Sequence, residues 1–335
     1  MNTSVGTFRS ILVPTDFSPA ADAALDQAVA LARSGDAEVT VAHVVKDIYT
    51  AMQLMAYGPV WSPMSEHLGE EQQSRRTRAQ EQLRGVIAPY EAAGARIRQQ
   101  VLVGTPFVAI IQAVQLGGYD LVVTGMRGQS AMKRALVGST ATRLARKCPC
   151  PVWIARPRES NILRSVLVPL DFSDMGRRTL DLAASLALPA RATLHLLHVY
   201  DAADMYGVPV LPEDSKAEFA RYRRQVRRAA LDQLKQMSDS LSSQPESTTL
   251  SVTPGITWQV IRSTARRVDA DVIVMGSVGR GGIPGLLIGN TAEKVMHAAD
   301  VSVLIVKPDD FVSPVPLPDG VSRQPERLRG EPVAI

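Results

Sequence analysis

Ile11-Leu-Val-Pro-Thr-Asp-Phe-Ser18 is echoed by Val166-Leu-Val-Pro-Leu-Asp-Phe-Ser173, 155 residues later, with six of the eight positions identical. At the same offset Ala42-His43-Val44-Val45 meets Leu197-His198-Val199-Tyr200. Asp120-Leu-Val-Val-Thr-Gly125 then returns as Asp271-Val-Ile-Val-Met-Gly276 at an offset of 151. Matches in one order with a small drift indicate a duplication with a short loop deletion. The period is too long for a solenoid, so each copy is expected to be a whole domain.

Within the first copy, apolar runs alternate with helical spacing. Short β-branched runs at Arg9 to Pro14, Glu38 to Val45, Arg96 to Val103, Leu121 to Thr124 and Val152 to Ala155 read as strands. Between them, helices are expected after Asp16-Phe-Ser-Pro19 up to Gly35, over Glu66 to Ala93, from Pro106 and over Ser139 to Lys147. The second copy repeats the plan, with strands at Ser165–Pro169, Thr193–Val199, Thr248–Val252, Val272–Met275 and Ser302–Val306. Strands separated by helices imply right-handed βαβ crossovers and parallel sheets. The fold class is therefore α/β, as two tandem doubly wound parallel-sheet domains. Their boundaries are set at residues 7–157 and 163–307, with Pro157 to Leu163 as linker. Residues 308–335 hold six prolines and scattered charge without a period, and are expected to be a disordered tail.

Composition fits this frame. The 335 residues are 45% hydrophobic and only 5% aromatic, a Val/Leu/Ile/Ala economy suited to buried parallel strands under Ala-rich helices. A net charge of +4 argues against a polyanionic partner, so no nucleic acid is expected. Two cysteines one residue apart rule out a disulfide framework. No leader pattern and no apolar run of ~20 residues is seen, so a cytoplasmic protein without membrane association is expected.

The chemistry is carried by a glycine pattern after each fourth strand. Gly125-Met-Arg-Gly128, nine residues and Gly138-Ser139-Thr140 correspond to Gly276-Ser-Val-Gly279, nine residues and Gly289-Asn290-Thr291. Glycines at a strand's C-terminal end let main-chain N–H groups approach an anion, and the helix opened by the third glycine favours phosphate through its free N–H groups and dipole. The same glycines could simply make turns and caps; their recurrence in both copies favours phosphate. No Gly-Lys-Ser/Thr of a P-loop is present, and no G-x-G-x-x-G follows the first strand. Asp16 and Asp171 follow directly on the first strand of each copy. With strand order 3-2-1-4-5 they face the glycine loops across the crevice where strand order reverses. N-capping of the next helix is the plainer reading of each, and does not exclude binding.

A first strand ending Val-Pro-Thr-Asp-Phe-Ser, a second ending in His-Val, and G-x2-G-x9-G-S/T together resemble the universal stress protein family. The likeness spans residues 9–156 and 164–307. It implies a five-stranded 3-2-1-4-5 sheet, ATP binding in one subgroup, and pairing through the fifth strands; the phosphate charge leads us to expect Mg²⁺ with the nucleotide. In this chain such pairing would make an internal pseudo-dimer, with a further homodimer open. Carried over by position, Pro14, Thr15 and Asp16 hold the adenosine, with the Val44 main chain at the adenine edge. Gly125, Arg127, Gly128, Gly138, Ser139 and Thr140 line the phosphates. The second-copy equivalents are Asp171, Val199, Gly276, Gly279, Gly289, Asn290 and Thr291. That copy departs from the pattern: Leu170 stands for Thr15, Val278 for Arg127 and Asn290 for Ser139, so the first site is expected to be the stronger. The resemblance implies an ATP-binding regulatory module of the stress response with no catalytic residue. A protein–protein interaction module with vestigial sites, and a slow nucleotide hydrolase, are the alternatives.

Other signals read as structure. His195 and His198 are three apart on a strand, face opposite ways and cannot chelate one ion; no metal site is expected. Cys148 and Cys150 read as buried thiols. Arg221 to Arg228 reads as a solvated helix face. The apolar stretch Tyr49 to Pro63, with Met52, Met55, Tyr57 and Trp61, is a candidate lid or partner contact, and Tyr200 to Pro212 is its counterpart.

Overall fold

The computed structural model describes residues 8–48, 62–128, 137–200, 216–279 and 288–318. The two apolar stretches just named lie, apart from their ends, outside the described residues. The chain divides into two compact units. One comprises Phe8–Arg158 together with the chain from Val312 onward, and the other Glu159–Phe311.

The first unit runs β1 (Ser10–Thr15), α1 (Pro19–Gly35), β2 (Glu38–Val45), α2 (Ser62–Ala92), β3 (Ile97–Val103), α3 (Pro106–Gly117), β4 (Leu121–Gly125), α4 (Ser139–Lys147) and β5 (Val152–Ala155). All strand pairs are parallel: β2 lies between β3 and β1, and β4 between β1 and β5. That is the expected order 3-2-1-4-5. The second unit repeats it with β6 (Ser165–Pro169), α5 (Asp174–Ala190), β7 (Thr193–Tyr200), α6 (Lys216–Asp239), β8 (Thr248–Pro254), α7 (Thr257–Arg267), β9 (Val272–Gly276), α8 (Asn290–Ala298) and β10 (Ser302–Val306). Here β6 is flanked by β7 and β9.

The central strands Ile11 to Val13 and Val166 to Val168 are wholly buried. They read as unbroken apolar runs because a parallel strand is covered on both faces. In the polar helix α2 a narrow stripe of Ala79, Leu83 and Ile87, spaced by four, is buried. Its left-handed stop at Gly94 (φ 79°) falls where expected. At the end of α1 the left-handed residue is Asp36 (φ 55°) rather than Gly35, which remains helical. The Asp36 carbonyl and carboxylate both accept from the Arg96 guanidinium, which holds the turn without glycine.

A clamp that the sequence does not announce starts each central strand. Asp120 accepts the main-chain N–H groups of Arg9 (2.7 Å) and Ser10 (3.1 Å), and Asp271 accepts those of Arg164 (2.5 Å) and Ser165 (2.9 Å). Hydrogen bonds to a charged partner are worth about 1.5–3 kcal/mol each. Asp120→Ala is therefore expected to cost about 2–3 kcal/mol in denaturant unfolding. Burial, outweighing the two N–H bonds, lifts the Asp120 carboxyl above its ordinary value. The folded state thus holds this proton more tightly, so proton linkage adds stability below the usual carboxylate pKa, and that increment, separate from the N–H bonds, is lost as pH rises through the lifted one. Asp120→Asn should show a flatter stability curve across that acid window.

The tail departs from the disorder expected of residues 308–335. Asp309 pairs with Arg178, and the Lys307 ammonium sits 4.5 Å from the centre of the Phe311 ring. Further on, Ser313 and Val315 are buried in the first unit, where Gln112 Nε2 donates to the Pro316 carbonyl (3.0 Å) and Gln115 Nε2 to that of Val315 (3.3 Å). Pro314, Pro316 and Pro318 pre-set an extended chain, so little backbone entropy remains to be lost on docking. Residues 319–335 lie outside the described residues.

Candidate functional site

In each unit the crevice lies where β1 and β4, or β6 and β9, leave the sheet. Thr15 Oγ1 accepts from the Phe17 N–H (3.0 Å), and Asp16 Oδ1 from the Ser18 N–H (3.2 Å). Ser18, not Asp16, caps α1, its side chain accepting from Ala21 N. Ser173 does the same for α5 and also donates its hydroxyl to Asp171 Oδ1 (2.5 Å). The capping reading of the two aspartates therefore fails in both copies.

The turn that presents each aspartate is bent at an aromatic residue. Phe17 (φ 61°) and Phe172 (φ 62°) are left-handed, a conformation costing a non-glycine residue about 1–2 kcal/mol. Phe17 stacks on His43 with ring centres 4.4 Å apart, and Phe172 on His198 at 4.2 Å. Each histidine holds its Nδ1 2.7–2.8 Å from the carbonyl of the residue before the aspartate, Thr15 or Leu170. Ring contacts of this kind return about 0.5–1.5 kcal/mol, which offsets much of the strain. Repetition of Asp-Phe-Ser and His-Val at one offset carried this signal, but only the fold brings the pair together.

Across the crevice, the second glycine of each loop lies against the aspartate. A Cβ on Gly128 would collide with Asp16 Oδ2, and one on Gly279 would stand 2.7 Å from Asp171 Oδ2. The third glycine closes the loop: Gly138 N–H donates to Met126 O (2.7 Å), and Gly289 N–H to Ser277 O (2.6 Å). Gly138 and Gly289 are the N-caps of α4 and α8, and neither helix has a side-chain cap. Their first N–H groups are thus left to solvent or to a ligand, and the dipole favours an anion there. Arg127 is half-buried, and its Nε meets no hydrogen-bond partner.

Of the sequence-predicted residues, Thr15, Pro14 and Gly125 are buried at the strand ends. Asp16, Val44, Arg127, Gly128, Gly138 and Thr140 are half-buried around the crevice, and Ser139 is exposed at the helix start. In the second unit Asp171, Val199, Gly276, Gly279, Gly289, Asn290 and Thr291 all line one cavity of about 420 Å³. Among the wall residues that sequence reasoning missed are Pro169, Met175, Thr179, Leu197, Thr257, Ile261, Met275 and Ser277. Most of these are apolar, and nothing in a motif distinguishes them from core. Ser277 is 1% exposed and its hydroxyl has no hydrogen-bond partner.

Elsewhere the residues behave as structure. His195 places Nδ1 2.7 Å from Thr249 Oγ1, and burial, helped by Arg267, lowers its pKa. Among the described residues no group of three or more His, Cys, Asp or Glu is placed to hold a metal ion. Cys148 and Cys150 are buried with sulfurs 3.5 Å apart; the Cys148 hydrogen bond and burial push the Cys150 thiol up. Neither thiol should react with a thiol reagent at pH 8 until the protein is unfolded, which a timed modification assay with and without denaturant would read. Arg221, Arg223, Arg224, Arg227 and Arg228 are all exposed. No described helix is long and apolar enough to cross a membrane.

Comparison with known proteins follows the repeat. The sequence model of the universal stress protein family matches residues 7–156 and 163–307. Universal stress protein E of Escherichia coli K12 is 28% identical over 225 residues, spanning 64% of this chain and 69% of that protein. A universal stress protein of Mycobacterium bovis is 24% identical over 307 residues, covering 89% of this chain and 97% of its own length. Among solved structures, a universal stress protein from Archaeoglobus fulgidus superposes with a TM-score of 0.60 at 23% identity, over 89% of this chain and 98% of that one. A functionally unknown protein from Pseudomonas aeruginosa PAO1 gives 0.59 at 23%, over 92% and 96%. These two likenesses establish the fold.

Proposed function

Because the chain belongs to the universal stress protein family, which supports a role in the stress response, we propose that it is an ATP-binding regulatory module, with Mg²⁺ accompanying the nucleotide. The observation that carries this reading is the apposition, made twice, of an aspartate carboxylate and a glycine main chain beside a helix N-terminus without a side-chain cap. Those parts match the two ends of a nucleotide. A carboxylate accepts from ribose hydroxyls or an exocyclic amine, and the main-chain N–H groups of Gly138 to Thr140 serve an anion. Gly125 and Gly128 let the loop approach closely, and Arg127 supplies a cation whose Nε has no partner. The nucleotide would act as a ligand that favours one conformation, stabilising it by RT ln(1 + [L]/Kd). No turnover is part of the proposal.

The test is calorimetric titration of nucleotide-stripped protein with ATP and Mg²⁺, alongside Asp16→Ala and Asp171→Ala. Binding is expected in the unsubstituted chain, with Asp16→Ala weakening it at least tenfold. Since Ser18 is the cap of α1, that variant should stay folded although it gives up the Ser18 N–H bond to Asp16, which its melting curve would read. No heat with ATP and no co-purified nucleotide would overturn the reading.

A further inference from the structure

The two crevices share a frame but not a charge. From Gly125 to Lys147 the first copy carries six cations and no carboxylate; among its described residues Arg127 stands at the crevice loop, whereas Arg143 and Lys147 lie over the Phe107 ring. From Gly276 to Ala298 the second carries Arg280 and Lys294 against Glu293. Among the described residues that line the second cavity, only Asp171 is charged, and it is an anion. The rest of the wall is uncharged: Met175, Leu197, Ile261 and Met275 stand beside the neutral polar side chains of Thr179, Thr257, Asn290 and Thr291, with the Ser277 hydroxyl buried and unpartnered.

Resting on the nucleotide reading above, we infer that the second unit's crevice takes an adenine nucleoside or nucleoside monophosphate, while the first takes the triphosphate. Each further phosphate adds charge that must be desolvated, and a cation repays that cost where neutral groups do not. At Val278 the loop offers a neutral side chain where the first copy has Arg127. What the second crevice does offer suits a nucleoside: apolar side chains such as Met175, Leu197 and Ile261 for a base, the Asp171 carboxylate for hydroxyl or amine donors, and one helix start for a single phosphate. The Ser277 hydroxyl is costly to bury unpaired in the free protein, and a polar ligand atom would satisfy it.

The test uses the full Asp16→Ala chain, stripped of nucleotide and titrated by calorimetry with adenosine, AMP and ATP, the last with Mg²⁺. AMP is expected to bind at least tenfold more tightly than ATP. Adding Val278→Arg should raise ATP affinity at least tenfold while leaving AMP within about threefold, the scale of one charge-assisted contact. Ser277→Ala should melt no lower than its parent yet bind AMP more weakly. ATP binding tighter than AMP in the Asp16→Ala chain, or no ligand binding there while the unsubstituted chain binds ATP, overturns this inference and leaves the nucleotide reading standing. Silence from all three ligands in both chains overturns the nucleotide reading itself.

Discussion

Trp153→Ala should lower the unfolding free energy by about 3–5 kcal/mol, the range for truncating a fully buried aromatic. Trp153 is 1% exposed at the centre of β5. Its indole N–H donates to Gln27 Oε1 (2.8 Å), and Gln27 Nε2 in turn donates to the Arg156 carbonyl (2.6 Å). Gln27 is itself only 3% exposed, so removing the indole takes a buried hydrogen bond from its amide oxygen. The loss is therefore a cavity plus a buried hydrogen bond. Trp153→Phe keeps most of the volume and isolates the second part, about 1–3 kcal/mol. Urea unfolding of the two variants would separate them; no loss in Trp153→Phe would mean that the Gln27 relay contributes nothing.

Gly125→Ala ranks second, and its severity comes from what the new methyl meets. A Cβ there would stand 2.5 Å from the Ala20 carbonyl oxygen and 2.6 Å from its carbon, main-chain atoms in the first turn of α1. Helix backbone cannot swing aside, so β4 and α1 must part, at about 2–3 kcal/mol for an overpacked core site. Parting them also moves Asp16 away from the Gly128 loop, and ATP affinity should fall with stability. The matching change in the second unit is gentler. A Cβ on Gly276 meets Met175 Cγ at 2.7 Å, on a side chain with other rotamers open to it, and the Val278 carbonyl oxygen at 3.1 Å, so a smaller main-chain shift suffices there. Gly276→Ala is therefore expected to cost under about 1 kcal/mol. Thermal unfolding of both variants gives the answer, and a larger loss at Gly276 would contradict this account.

The reason the fold could be read from the chain lies in its buried strands. Ile11 to Val13 and Leu121 to Val123 are apolar on both faces, so their runs end only where the sheet ends, and Glu38–Val45, Val152–Ala155 and Ser302–Val306 coincide with their expected limits. Boundaries slipped where the last turn or rung needs no special residue. Gly125 and Gly276 still pair within their sheets, and α2 begins at Ser62 rather than Glu66. In the crevices, Asp16, Asp171 and the paired glycines were legible because their types are rare there and their spacing recurs. The Asp120 and Asp271 clamps were quoted as part of the repeat but not understood, since a carboxylate before a strand has no periodic signature. Met175, Thr257 and Ile261 were illegible for a different reason: each sits on a helix as an ordinary core residue would, and only packing decides that it borders a cavity. The tail was misjudged because proline and charge mark extended chain, whether free or docked.

The docked tail reverses the order in which the polypeptide is completed. The first unit is made first, and β4, which must enter beside β1, emerges a hundred residues after its neighbour. Even then that unit lacks the segment that covers Gln112 and Gln115, because Ser313, Val315 and Pro316 come only after the whole second repeat. During synthesis the N-terminal repeat therefore waits for residues 313–316 to cover its own α3, and a ribosome that stops after Phe311 releases a first unit with that flank bare.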